Sequence, residues 1–229
     1  MTKKMCKIRL LIVSFLILFT ILSMDSKSQN RGRTALDEKV RKFLMEHSTK
    51  WHDMNIPTAD GQTLYDIIVK NNYKSALEIG TSTGHSGIWI AWALSKTGGK
   101  LITIEMDEER YHKALENFKE AGLAEYIDAR LSNAHTLVKE LKGPFDFVFS
   151  DADKDWYKQY FIDIDPKLRV GGCFTAHNIR YRSSRKSYKN GQDLFLDYVR
   201  SLKNYETTIN RYGGGISISY KKAIRLIKR

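Results

Sequence analysis

Two polar clusters stand where apolar strands end. Asp151-Ala152-Asp153-Lys154 follows the run Phe145 to Ser150, and His177-Asn178 follows the run Val170 to Ala176. Together they put a carboxylate, an amine, an imidazole and an amide at the edge where open α/β sheets bind ligands. Carboxylate and amide oxygens can hold a cation, and a neighbouring amine or imidazole can take or give a proton. Such a set makes this edge an active-site candidate.

A third cluster lies upstream, in Glu78-Ile79-Gly80-Thr81-Ser82-Thr83-Gly84-His85-Ser86-Gly87. Glycines let backbone approach a ligand, and Ser86 can cap a following helix whose free amides face a negative group. The spacing Gly-x3-Gly-x2-Gly departs from the Gly-x-Gly-x-x-Gly of dinucleotide binders, which disfavours a nicotinamide oxidoreductase. Glu105 ends the next apolar run roughly 25 residues after Gly80, where an acidic side chain can bind ribose hydroxyls. A structural turn and a solvated carboxylate are the plainer alternatives.

The elements that must position these residues alternate. Helical spacing predicts helices over Thr34 to His47, Asp60 to Asn71, Ser86 to Ser95, Glu108 to Ala121, Ala134 to Leu141, Asp155 to Leu168 and Asp193 to Leu202. Apolar or alternating runs predict strands at Ser75 to Ile79, Lys100 to Glu105, Tyr126 to Leu131, Phe145 to Ser150, Gly172 to Ala176, Tyr205 to Asn210 and Gly215 to Tyr220. This alternation implies an α/β fold with a mainly parallel sheet and helices on both faces.

Length and charge set bounds. The 229 residues fit one domain plus a terminal segment, and a domain of about 200 residues buries about 70% of its unfolded surface. The net charge of +12 suits an acidic partner, yet the Lys and Arg are spread along the chain, so nucleic-acid binding is not expected. Cys6 and Cys173 have neither metal-ligand spacing nor a plausible disulfide partnership; Cys173 reads as a core thiol. Lys3, Lys4, Lys7 and Arg9 precede an apolar run from Leu10 to Phe19 that continues through Ile21 and Leu22, then a small polar stretch to Asn30. Residues 1–28 therefore read as a signal peptide or N-terminal membrane segment, and residues 29–229 as the folded domain. Translation from Met24 is the alternative and would leave the protein cytoplasmic.

Four ordered motifs carry a resemblance: Leu77 to Ser86, Thr103 to Asp107, Phe145 to Lys154 and Gly171 to Asn178. They resemble the motifs of S-adenosylmethionine-dependent O-methyltransferases, most closely the catechol and caffeoyl-CoA branch with its small bacterial members. The resemblance spans about Leu36 to Tyr220. It implies a doubly wound, Rossmann-like sheet of seven strands with the last antiparallel. It also implies that Gly80, Thr81, Ser82 and Ser86 cradle the methionine part of the cofactor with Glu78 beneath, and that Glu105 holds the ribose. Met106, Asn133 and Ala134 would flank the adenine, and the Met54 to Gly61 segment, Met54 included, would lie over the cofactor. Asp151 matches a position that binds a divalent cation and lies near the cofactor's amino group, and Lys154 matches the general base. Homodimerisation is plausible on the same ground.

His177 departs from that pattern. The family shows Asp-Asn at this strand end, oxygen donors suited to magnesium, whereas His177-Asn178 offers an imidazole better suited to zinc, manganese or iron. Three readings stay open: a metal site of Asp151, His177 and Asn178 retuned towards a transition metal, a site without tight metal in which His177 acts as base or donor, and a degenerate site. The first two preserve transfer of a methyl group to a small phenolic or catechol-like acceptor; the third leaves an exported ligand-binding protein on the same scaffold. Ile179 to Gly191, with five basic residues and two tyrosines, is the expected acceptor-selecting segment and suits an anionic acceptor. An exported enzyme would also need its cofactor outside the cytoplasm, a conflict the sequence leaves standing.

Overall fold

The structure, a computed structural model, describes residues 34–51, 54–179 and 189–224. The expected leader, the Met24 start, Cys6 and most of the basic segment after Ile179 lie outside those residues. No helix among the described residues is long and apolar enough to cross a membrane.

Seven strands form one sheet: β1 (Ser75–Ile79), β2 (Lys100–Glu105), β3 (Ile127–Leu131), β4 (Phe145–Ser150), β5 (Leu168–Ala176), β6 (Tyr205–Asn210) and β7 (Ile216–Lys221). Their spatial order is β3-β2-β1-β4-β5-β7-β6. β1 to β5 pair in parallel, and β7 runs antiparallel to both β5 and β6. This is the doubly wound, Rossmann-like arrangement the sequence implies. The order turns back between β1 and β4, and such a switch point opens a crevice beyond the strands' carboxyl ends.

The helices are α1 (residues 34–46), α2 (Thr58–Asn71), α3 (His85–Thr97), α4 (Glu108–Ala121), α5 (Ala134–Glu140), α6 (Tyr157–Ile164) and α7 (Gly191–Ser201). Because strand side chains alternate, Leu77 and Ile79 join one core with Val138, Tyr157, Phe161 and Phe195, while Ala76, Phe147 and Phe149 join another with Leu64, Ile68, Ile90 and Leu94. All six residues of β4 are buried, as a central strand covered on both faces requires. Cys173 is fully buried in β5, and burial pushes its thiol far above its usual range, so it packs as a core residue.

Two elements differ from the sequence reading. β5 begins at Leu168 rather than Gly172, its first half carrying exposed residues that broke the apolar pattern. The helix expected over Asp155 to Leu168 is α6 flanked by two short 3-10 turns, the second holding Pro166.

Candidate active site

The loop leaving β1 is shaped by glycine and by one carboxylate. Gly80 has φ +100°, and a Cβ there would stand 2.9 Å from the Ala152 amide nitrogen, so only glycine lets the β1 and β4 loops meet. The Gly80 and Thr81 amides donate to the Ile104 carbonyl at 3.0 and 3.1 Å. Glu105 ties two loops together: Oε2 accepts from the Ser82 amide at 2.7 Å, and Oε1 accepts from the Met106 and Asp107 amides at 3.0 Å each. A carboxylate fixed by three amides is pre-aimed for any hydroxyl that approaches it.

Glu78 lies beneath this loop, fully buried, and burial raises its carboxyl to about 8 despite hydrogen bonds from Ser86 and Thr103. It is therefore a neutral acid at pH 7, and it lines neither cavity described next. It supports the loop through the chain Glu78, Thr103, Thr81.

A cleft of about 810 Å³ opens over the switch point, a size that suits a small ligand. Met54, Gly80, Thr81, Ser82 and Ser86 line one side, Asp151, Lys154, His177 and Asn178 the other, with Glu105 and Met106 between. A second hollow of about 240 Å³ shares Gly80, Glu105 and Met106 and adds Asn133 and Ala134. Thirteen sequence-selected residues thus meet in one elongated site, with Glu105 at the waist; Glu78 alone sits behind it. The two hollows, which share Gly80, Glu105 and Met106, together offer room for an elongated ligand with one end in each. Ser82 Oγ is buried without a partner among the described residues, a polar group left for such a ligand.

The ends of β4 and β5 form a charged knot. Lys154 Nζ donates to Asp151 Oδ1 and, at 3.0 Å, to the Asp151 carbonyl. His177 Nδ1 lies 3.0 Å from Asp151 Oδ2 as an ion pair at an angle outside a well-formed hydrogen bond. His177 Nε2 lies 2.8 Å from Asp60 Oδ2, which also accepts from the Gly214 amide at 2.7 Å. Burial alone would lower the imidazole's pKa, but the carboxylates of Asp151 and Asp60 outweigh it and raise the value to about 9. The two carboxylates thus favour the imidazolium form of His177.

That knot does not fit a divalent cation. The two nitrogens of an imidazole point apart: Nε2 is engaged by Asp60, and Nδ1 has the Asp151 carboxylate 3.0 Å away, so an ion reaching either nitrogen would have to displace a carboxylate from the ring. Among the described residues no group of three or more His, Cys, Asp or Glu side chains converges as a metal site. The retuned transition-metal reading of Asp151, His177 and Asn178 therefore lacks a free imidazole donor, the one that would have selected a transition metal.

Asp60 is the residue that sequence reasoning missed. It sits in the first turn of α2, fully buried, and looked like an ordinary acidic helix start. Its burial beside Gly61, whose Cβ would strike Trp89 at 2.3 Å, was the available clue that this turn packs inward. His135, stacked on Trp156 with centroids 3.7 Å apart, lines the smaller hollow and was also missed. Asn55 holds the segment over the cleft through a 3.0 Å bond to Thr83 Oγ1.

The sequence matches the O-methyltransferase family over residues 26–194. Caffeoyl-CoA O-methyltransferase 1 of Eucalyptus globulus is 29% identical over 179 residues, covering 76% of this chain and 71% of that one. The flavonoid 3',5'-methyltransferase of Vitis vinifera is 27% identical over 179 residues, covering 76% and 75%. Among solved structures, the O-methyltransferase from Bacillus cereus in complex with SAH superposes with a TM-score of 0.68 at 22% identity, covering 81% of this chain and 91% of that one. TomG from Streptomyces achromogenes, in complex with SAM, gives 0.69 at 23% identity over 81% and 90%. These structural likenesses concern the fold.

Proposed function

The chain belongs to the O-methyltransferase family, whose members take their methyl group from S-adenosylmethionine, and on that premise we propose that it methylates a hydroxyl of a small phenolic or catechol-like acceptor. The observation that carries the reading is the amide-fixed carboxylate of Glu105 at the waist of a two-lobed cleft. The named substrates of the relatives, caffeoyl-CoA and flavonoids, support a phenolic acceptor.

S-adenosylmethionine, when bound, supplies a methyl already activated on a sulfonium, which leaves the protein to align an oxygen and remove its proton. Glu105 binds the ribose hydroxyls, Gly80 lets the backbone approach, Asn133 and Ala134 flank the base, and Met54 covers the cleft. Lys154 in its amine form would take the hydroxyl proton at Nζ as the oxygen–carbon bond forms and the methyl's bond to sulfur breaks, its electron pair returning to the sulfur as a neutral thioether. The ammonium so produced is the partner Asp151 holds, so proton transfer ends in the ion pair the structure contains. No step here requires a metal ion.

The basic residues after Ile179, outside the described residues, are proposed to favour an anionic acceptor, and residues 1–28 to export or anchor the domain; fractionation of cells expressing the full chain tests the latter. The reading as a whole is tested by calorimetric titration of the full chain with S-adenosylmethionine. Micromolar binding supports it, and no binding would favour a scaffold that has lost its cofactor.

A further inference from the structure

The knot at the ends of β4 and β5 deepens the methyltransferase reading and rests on it. We infer that His177, clamped between Asp60 and Asp151, supplies from the protein the positive charge that a divalent cation would bring to this strand end, so that methyl transfer proceeds without a bound metal.

Both ring nitrogens meet carboxylate oxygens, Nε2 at 2.8 Å from Asp60 and Nδ1 at 3.0 Å from Asp151. Carboxylate oxygens on both sides of the ring favour its doubly protonated, cationic form. The Asp60 side is closed by a glycine turn. A Cβ on Gly214 would stand 2.5 Å from His177 Nε2, and one on Gly213 2.4 Å from Asp60 Oδ1, so only this bare backbone leaves room for the pair. Asp60 is fully buried and His177 nearly so, which strengthens their attraction.

Charge balance points the same way. Asp60 and Asp151 offset His177 and Lys154, so the group is neutral as it stands. A divalent ion would add two positive charges to a balanced, largely buried set and would have to break the His177 pairs to reach oxygen. His177 is a positioning residue: it holds Asp151 Oδ2, leaving Oδ1 to Lys154.

The test uses the full chain stripped of metal with a chelator. Titration calorimetry with magnesium, manganese and zinc chlorides is run on the native chain and on the His177→Asp and His177→Gln variants, beside methyl transfer to catechol with and without EDTA. The native chain is expected to bind none of these ions stoichiometrically and to keep its transfer rate in EDTA. His177→Asp, which restores an oxygen donor, is expected to bind manganese or magnesium and to lose about tenfold or more of its transfer in EDTA, regained on adding metal. His177→Gln is expected to lose transfer without rescue by any ion. One-to-one metal binding by the native chain that His177→Gln abolishes overturns the inference, as does an EDTA-induced loss of native transfer that metal restores. Should His177→Asp fail to fold, the native titration still decides. A chain that moves no methyl under any condition defeats the methyltransferase reading instead, which keeps the two failures apart.

Discussion

Asp60 Oδ2 and His177 Nε2 lie 2.8 Å apart although 117 positions separate them in the chain. The contact joins the first turn of α2 to the end of β5, and so couples the segment over the cleft to a strand end that lines it. Removing one member of such a buried pair leaves the other charge unmatched. Asp60→Asn is expected to cost about 3–5 kcal/mol of stability, read by urea denaturation. A loss near zero would mean that the pair is not closed in solution.

Glu105 is predicted to matter for the cofactor twice over, through the ribose and through the loops its oxygens hold. Glu105→Ala should weaken S-adenosylmethionine binding by about ten- to a hundredfold, the scale of a charged hydrogen bond lost. Calorimetry reads this directly; unchanged affinity would place the ribose elsewhere.

Lys154 separates binding from chemistry. Lys154→Met should leave S-adenosylmethionine affinity unchanged and lower kcat about 10²- to 10⁴-fold, the usual contribution of a general base. A raised KM with unchanged kcat would instead make Lys154 an acceptor-binding group.

Stability should depend on pH through two buried groups with opposite signs. Glu78 has its folded pKa raised to about 8 from 4.5 by burial, so its contribution is full below 4.5 and is lost as pH rises through 8. Burial lowers His85, stacked on Trp51, to about 4 from 6.5, so its contribution is full above 6.5 and is lost as pH falls through 4. Glu78→Gln should flatten the fall between pH 4.5 and 8 in denaturation midpoints and leave the acid side intact. A variant that leaves that fall unchanged would show Glu78 to be ionised in the native state.

Much of this arrangement was legible in the residues. β1, β2 and β4 begin and end where the sequence places them, because strands deep in a parallel sheet are dense in apolar residues. Gly80, Glu105, Asp151 and Lys154 declared themselves by standing just past those runs. Asp60 did not, since an acid in a first helical turn is ordinary and its partner is supplied by a distant strand. The Gly213-Gly214 turn was invisible for the same reason: its glycines answer to Asp60 and His177, not to their own neighbours. His177 was conspicuous as a departure, but its meaning needed both carboxylates in place.

The central claim is that this cleft moves a methyl group from S-adenosylmethionine to an aromatic hydroxyl. The most direct measurement is a single turnover with methyl-labelled S-adenosylmethionine, catechol and excess full-length protein, the products separated and counted. Label is expected on the catechol oxygen with the native chain, and about 10²-fold or more slower labelling with Lys154→Met. Binding of the cofactor with no label reaching catechol or other phenolic acceptors would contradict it.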